Sequence, residues 1–256
     1  MDILQYNRDA WNHQVDKKDK WTIPVTKEEI ELARNGIFSI VLTPTKPVPM
    51  EWFGKIKNAA VLCLASGGGQ QVPIFSAAGA HVTSFDNSEK QLEQDTLVCS
   101  QNNLVVKTIQ GDMRDLSVLE DASFDLIFHP CSNGFINDII PVWKECFRVL
   151  KKGGILLSGF TNPFFYLFDQ VKRDQNILEV KYSLPYSDID SLTDDERKRY
   201  TDIKDPLVFS HTLTDQIGGQ LNAGFHLVDF FEDTWSGKEI EDQYFSSFIA
   251  TKAMKP

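Results

Sequence analysis

Basic residues are in short supply. The 256-residue chain sets 26 Lys and Arg against 36 Asp and Glu, a formal net charge of −10. A protein that grips nucleic acid through its phosphates needs a positive face. Here the sizeable basic clusters, Lys17 to Lys20 and Glu196 to Arg199, are interleaved with acids. Neither nucleic acid nor an anionic membrane surface is therefore expected as a partner. Cysteine is scarce too: the four, Cys63, Cys99, Cys131 and Cys146, form no CxxC pair, and Cys63 and Cys131 stand in apolar runs as buried thiols. That usage points to a reducing, cytoplasmic setting and to no metal site. No apolar stretch approaches membrane-spanning length, and the polar start at Asp2 lacks the pattern of a signal peptide. Repeats and low-complexity tracts are absent as well.

What is present is an alternation of apolar strands and amphipathic helices. Residues 3–16 read as a short helix with Leu4, Trp11 and Val15 on one side. In "TKEEIELARNG", Thr26 and Glu29 make a capping box and Asn35-Gly36 a stop. "FSIVLTPTKPVP" is extended and proline-punctuated, a connector rather than a core strand. Buried strands follow at "AAVLCLA", "HVTSFD", "VVKTIQGD", "SFDLIFHP" and "GILLSGF". Between them come helices, one with Pro73 in its first turn, one capped by Ser88 and Gln91, and one opened by Pro141 and ending at Lys151-Lys152-Gly153-Gly154. This rhythm predicts a parallel sheet covered on both faces. It breaks at Asn162. Residues 163–212 lack clear periodicity and are too long for a plain loop, so a lid or small subdomain is expected. "TDQIGGQLNAGF" reads as a helix weakened by Gly218-Gly219, and "HLVDFFED" and "YFSSFIATKA" as a closing antiparallel pair. The division expected is one domain over 1–256: an N-terminal cap (1–55), a core (56–162), an insertion (163–212) and a C-terminal helix with strands (213–256).

The chemistry is concentrated in "ASGGGQQ", at the carboxyl end of the first strand, where ligands of open α/β sheets bind. Gly67, Gly68 and Gly69 make a turn that lets a ligand approach the backbone and, at a helix start, can attract an anion. Asp86 ends the second strand, and a carboxylate there can accept both hydroxyls of a ribose. A dinucleotide fingerprint would place its third glycine at Val72, and a phosphate-binding loop would need a lysine after the glycines. Neither is present. What remains is glycine at alternate positions, Ala65-x-Gly67-x-Gly69.

With those residues in view, the chain resembles the class I S-adenosylmethionine-dependent methyltransferases, most closely the small-molecule group around methyltransferase type 11. The resemblance spans roughly 59–162 in five ordered blocks: "VLCLASGGG", "VTSFDNSEKQLEQ", "IQGDMRDL", "SFDLIFHPCSN" and "ECFRVLKKGGILLSGF". It implies a Rossmann-like three-layer α/β sandwich with a mostly parallel seven-stranded sheet and an antiparallel last strand. A helical N-terminal cap and an insertion after the fifth strand would complete it. It implies S-adenosyl-L-methionine as cofactor and S-adenosyl-L-homocysteine as product. Gly67 and Gly69 would approach its methionine part, with Ala65 and Ser66 also among the cofactor-binding residues. Asp86 would bind the ribose, and Asn87, Asp112 and Met113 would lie around the adenine. His129 would line the floor beneath the sulfonium. The family usually has an acid where this chain has Cys63, and glycine where it has Ala65. "NPFF" at Asn162 to Phe165 imitates an amino-methylating motif but follows the wrong strand, which argues against a base-flipping enzyme.

The reaction implied is in-line methyl transfer to an O, N or C nucleophile of a small molecule, in which the protein supplies alignment and excludes water. A general base is needed only if the acceptor must lose a proton. His129, and after it His211, are the candidates. Tyr6, Trp11 and Phe164 are candidate lid or substrate contacts. Alternatives are an RNA or protein methyltransferase, a cofactor-binding protein without catalysis, and a nicotinamide oxidoreductase. A monomer or homodimer is expected.

Overall fold

The apolar run at the first strand is continuous because its alternate side chains enter two different cores. Strand β1 (Ala60–Leu64) sends Val61 and Cys63 into one cluster and Leu62 and Leu64 into the other. Residues 1–256 are all described by a computed structural model. The other strands are β2 (His81–Asp86), β3 (Val106–Gln110), β4 (Phe124–His129), β5 (Leu150–Thr161), β6 (His226–Asp233) and β7 (Phe248–Met254). The helices are α1 (Ile3–Asp16), α2 (Lys27–Arg34), α3 (Gln71–Ala77), α4 (Glu89–Gln101), α5 (Ile140–Val149), α6 (Gln170–Arg173), α7 (Asp194–Asp202) and α8 (Gly219–Ala223). The seven strands form one sheet in the order β3-β2-β1-β4-β5-β7-β6. β7 runs antiparallel to both neighbours, and the pairs from β3 to β5 are parallel. Ile30 of α2, Val72 of α3 and Val98 of α4 pack on one face, and Val142 and Trp143 of α5 on the other. No helix is long and apolar enough to cross a membrane.

Several local expectations hold for the physical reason given. Thr26 and Glu29 exchange both bonds of the capping box. β6 and β7 pair antiparallel, from His226 with Met254 to Asp233 with Phe248.

Four details differ. The buried side of α1 is polar: Asn7, Asn12 and Gln14 with Ala10, while Leu4, Trp11 and Val15 are only half-buried. These amides satisfy backbone and side-chain groups of other segments, which a hydrophobic reading of the helix does not register. α5 passes directly into β5, so Lys151 to Gly154 are strand residues, not a helix stop. The carbonyls at the end of α5 are instead met by Lys255, whose Nζ lies 2.7 Å from the oxygen of Phe147 and 2.8 Å from that of Leu150. At α4, Ser88 accepts from the Gln91 N–H at 3.2 Å, but the Gln91 side chain does not return the bond. Finally, the segment holding Gly218-Gly219 begins as a π turn at Thr214–Gly218 before α8.

Candidate active site

The carboxyl ends of β1, β2, β4 and β5 and the start of β7 meet at one edge of the sheet, and a cavity of about 650 Å³ lies there. The turn after β1 is built for close approach. Ala65, Gly68 and Gly69 adopt positive φ of 49°, 114° and 76°. A side chain at Gly67 would meet the Cβ of Gln91 at 2.8 Å and an oxygen of Asp86 at 3.3 Å. The turn's amides are already used. Ala65 N–H donates to the Phe85 carbonyl at 2.7 Å and Gly68 N–H to the Gln91 carbonyl at 3.1 Å. Gly67 N–H donates to the carboxylate of Asp86 at 3.1 Å and Gly69 N–H to that of Asp95 at 2.7 Å. None of these four N–H groups is left for an anion, so the turn is not the phosphate cradle that its glycines alone suggest. It draws two carboxylates in behind the ligand surface.

Asp86, at the last position of β2, accepts from Gly67 and, at 2.9 Å, from Ser88 N–H. Burial pushes its pKa up, and the N–H groups of Ser88, Gly67 and Asn87 oppose that. Each oxygen keeps a further lone pair, and Asp86 lies on the cavity wall. The second acid, Asp95 on α4, is fully buried and also accepts from Ser84 Oγ at 2.7 Å. Burial raises it to about 7, with the donors at Ser84 and Gly69 acting the other way. Its charge is felt by the buried Cys63 thiol. Thus α4 delivers a carboxylate behind the turn, beside the position where β1 carries cysteine. Sequence reading missed Asp95 because, in the helical pattern "EKQLEQD", nothing distinguishes it from its solvated neighbours.

The wall also includes Ala65, Ser66, Gly67, Asn87, Asp112 and Met113. Ser66 and Gln91 are on it as well, and their Oγ and Oε1 are buried behind its surface without a hydrogen-bond partner within the chain. Such groups are costly unless a ligand or water satisfies them. Asn87 uses its amide to hold α1, donating to the Leu4 carbonyl at 2.9 Å and accepting from Arg8 Nε at 3.1 Å. Asp112 is engaged by Arg114, whose Nη2 lies 2.6 Å from Oδ2. Gly111 is required beneath it, since a side chain there would collide with the ring of Phe85.

The histidines stand elsewhere. His129 is fully buried and off the cavity wall, with Nδ1 3.0 Å from the Leu64 carbonyl oxygen and Nε2 2.6 Å from the Asn133 amide. Burial lowers its pKa. It ties the end of β4 to the end of β1, and neither ring nitrogen faces open space. His211, also buried off the wall, lies with Nε2 2.9 Å from the Asn133 carbonyl. Trp11 does line the cavity, edge-on to Phe135 at 4.9 Å. Tyr6 donates instead to the Asp205 carbonyl at 3.0 Å, and Phe164 is 49% exposed while its neighbour Phe165 is on the wall.

The connector at 37–48 supplies the remaining wall. Ile40, Leu42 and Thr43 are buried against the carboxyl edge, Leu42 accepting from Cys131 N–H at 3.1 Å and lying where a side chain at Gly159 would be. Its alternating apolar residues were the available signal, masked by the prolines.

A family profile for a methyltransferase domain matches residues 62–158. An uncharacterized methyltransferase of Bacillus subtilis, YbaJ, is 46% identical over 99% of this chain and 98% of its own length. Among solved structures, an S-adenosylmethionine-dependent methyltransferase from Mesorhizobium loti superposes with a TM-score of 0.63 at 16% identity, covering 80% of this chain and 94% of that one. Another, from Methanosarcina mazei, gives 0.55 at 16% identity, covering 81% and 98%. Fold and relatives together define a methyltransferase: the chain belongs to the class I S-adenosylmethionine-dependent family. Its full-length similarity to YbaJ, cap and insertion included, sets it beside that protein within the family.

Proposed function

We propose that this enzyme methylates a small molecule held in the 650 Å³ cavity. The observation that carries the reading is the division of that cavity. Asp86 and the unpartnered Ser66 and Gln91 side chains stand on one side, with apolar walls from the connector and Trp235 on the other. The polar side fits S-adenosylmethionine, which when bound supplies a methyl group already activated on sulfur. Asp86 would accept from the ribose hydroxyls. Ser66 and Gln91 would satisfy the amino-acid end, on a turn fixed by Asp95. Met113 and Phe85 would pack on the adenine, with Asp112 at its edge. Asn87 would act indirectly, by holding the cap.

No histidine lines the wall, so no imidazole stands there to act as a base. The acceptor would arrive as a competent nucleophile or lose its proton to water. Residues 20–25 and 39–44 would exclude solvent and orient it. His129 would position the β4 exit rather than move a proton.

Calorimetry with S-adenosylhomocysteine and with NAD tests this. The sulfur ligand should bind, and Asp86→Ala should weaken it by about 1.5–3 kcal/mol per charge-assisted hydrogen bond lost. Binding of NAD in its place, or an unchanged affinity in the variant, would sink the assignment.

A further inference from the structure

The far side of the cavity has its own chemistry, set by strand order. Beyond β1 the sheet continues through β4, β5 and β7. Adjacent strands lie about 4.8 Å apart, so Thr161 at the end of β5 and its partner Phe248 in β7 stand roughly 10–14 Å from the glycine turn. There Trp235 meets Phe248 edge-on at 4.6 Å, with Phe165 6.3 Å and Trp21 6.2 Å away. Four aromatic rings thus surround one end of the cavity.

The charges on the wall are unevenly committed. Glu29 closes the capping box with Thr26, Asp86 holds Gly67 and Ser88, and Asp112 is paired with Arg114. A cationic acceptor would find no free carboxylate at the aromatic end. The sole cation on the wall is Lys20. Its Nζ rests 4.7 Å from the Trp21 ring centre and 5.4 Å from that of Trp235, and it takes part in no ion pair. Two indole faces hold the ammonium at the rim while its three N–H donors stay available.

We infer that the methyl acceptor is a ring-bearing apolar molecule with an anionic group, its rings against Trp21, Trp235 and Phe165 and its anion on Lys20 Nζ. The inference rests on the methyltransferase reading of the same cavity and adds the acceptor's class to it. Ring-against-ring packing favours flat apolar bodies, and the ammonium held among those rings selects the sign of the group they carry.

The test is calorimetry on protein first saturated with S-adenosylhomocysteine, using naphthylacetate, naphthylethanol and naphthylethylamine, which share one ring system and differ in charge. Naphthylacetate should bind about tenfold tighter than the alcohol, the amine weakest. Lys20→Glu, a change at an exposed position, should reverse that order while leaving affinity for S-adenosylhomocysteine within about twofold. Equal affinities, no binding by any of the three, or tightest binding by the amine would overturn the inference. So would a Lys20→Glu protein that loses S-adenosylhomocysteine affinity and keeps the probe order, because Lys20 would then serve the cofactor's carboxylate. If the wild-type protein failed to bind S-adenosylhomocysteine at the outset, the cofactor assignment would fall instead.

Discussion

Asp95 concentrates the unusual chemistry of this chain in one side chain. Its carboxyl, raised from 3.8 to about 7 by burial, keeps a proton in the folded chain that the unfolded chain loses. Between about pH 4 and 7 the folded state therefore binds more protons. Its contribution to stability is fully present on the acid side and is lost as pH rises through about 7. Asp86, raised by the same cause, acts in the same direction. Asparagine at position 95 could still accept from Gly69 N–H and could donate to Ser84 Oγ, without the buried charge. Asp95→Asn should accordingly fold, show a flatter dependence of Tm on pH across that range, and melt higher than wild type at about pH 8. Thermal scans at a series of pH values read this out, and a variant curve parallel to wild type would refute it. Ala65 is the complementary case. Its φ of 49° is one that glycine adopts freely, so the departure from the family's glycine is carried as local strain.

At the scale of elements, the π turn leads into α8, which packs closely on α5. Gly219 faces Trp143, and a Cβ there would stand 2.6 Å from Cδ1 and 2.9 Å from Nε1 of that ring. The ring is fully buried and its Nε1 donates to the Asp215 carbonyl at 2.9 Å. Helix propensity alone would make alanine better than glycine by about 1 kcal/mol. Packing reverses the sign: Gly219→Ala should destabilise by about 1–3 kcal/mol, the cost of overpacking a filled core. Denaturant unfolding measures it, and a stabilised variant would mean that the helix shifts freely. The N-terminal segment after α1 is an element of another kind. Val25 N–H donates to the Gly69 carbonyl at 2.9 Å and Gln70 Nε2 to that of Ile23 at 3.0 Å, so the strap at 22–25 is stitched to the glycine turn.

Across the whole molecule, the cap and the insertion close the cavity together. Asn7 of α1 donates to the carbonyls of Phe135 at 2.7 Å and Leu207 at 3.0 Å and accepts from Leu207 N–H at 2.8 Å. Asn12 accepts from Ser88 Oγ at 2.7 Å, and Tyr6 reaches Asp205. The contacts that hold the cap to the insertion are thus polar, and polar contacts exchange with water more readily than an apolar seal. Residues 1–25 and 163–212 should therefore open as a lid, and S-adenosylhomocysteine should slow their cleavage severalfold in limited proteolysis by mass action on the closed state. Equal cleavage with and without ligand would show that they do not gate the site.

By itself, the sequence determined the parallel core of the sheet and the glycine turn, and its five ordered blocks carried the family resemblance. Continuous apolar runs need cover on both faces, and a glycine-rich turn followed by an acid at the end of the next strand is a local pattern that can be read before any packing is known. The antiparallel direction of β7 was legible through the family resemblance, whereas the order β5-β7-β6 was decided by the tertiary structure. Tertiary structure decided what depends on separations no local pattern encodes. It turned His129 away from the cavity because both ring nitrogens are used by Leu64 and Asn133. It brought Asp95 under the turn from a helix that reads as solvated. It made a wall of the proline-punctuated connector, because Gly159 leaves room for Leu42. It set Lys20 between tryptophans that stand more than two hundred residues apart in the chain. Local composition fixes what a segment can bury, and only the closed fold fixes which groups are left facing the ligand.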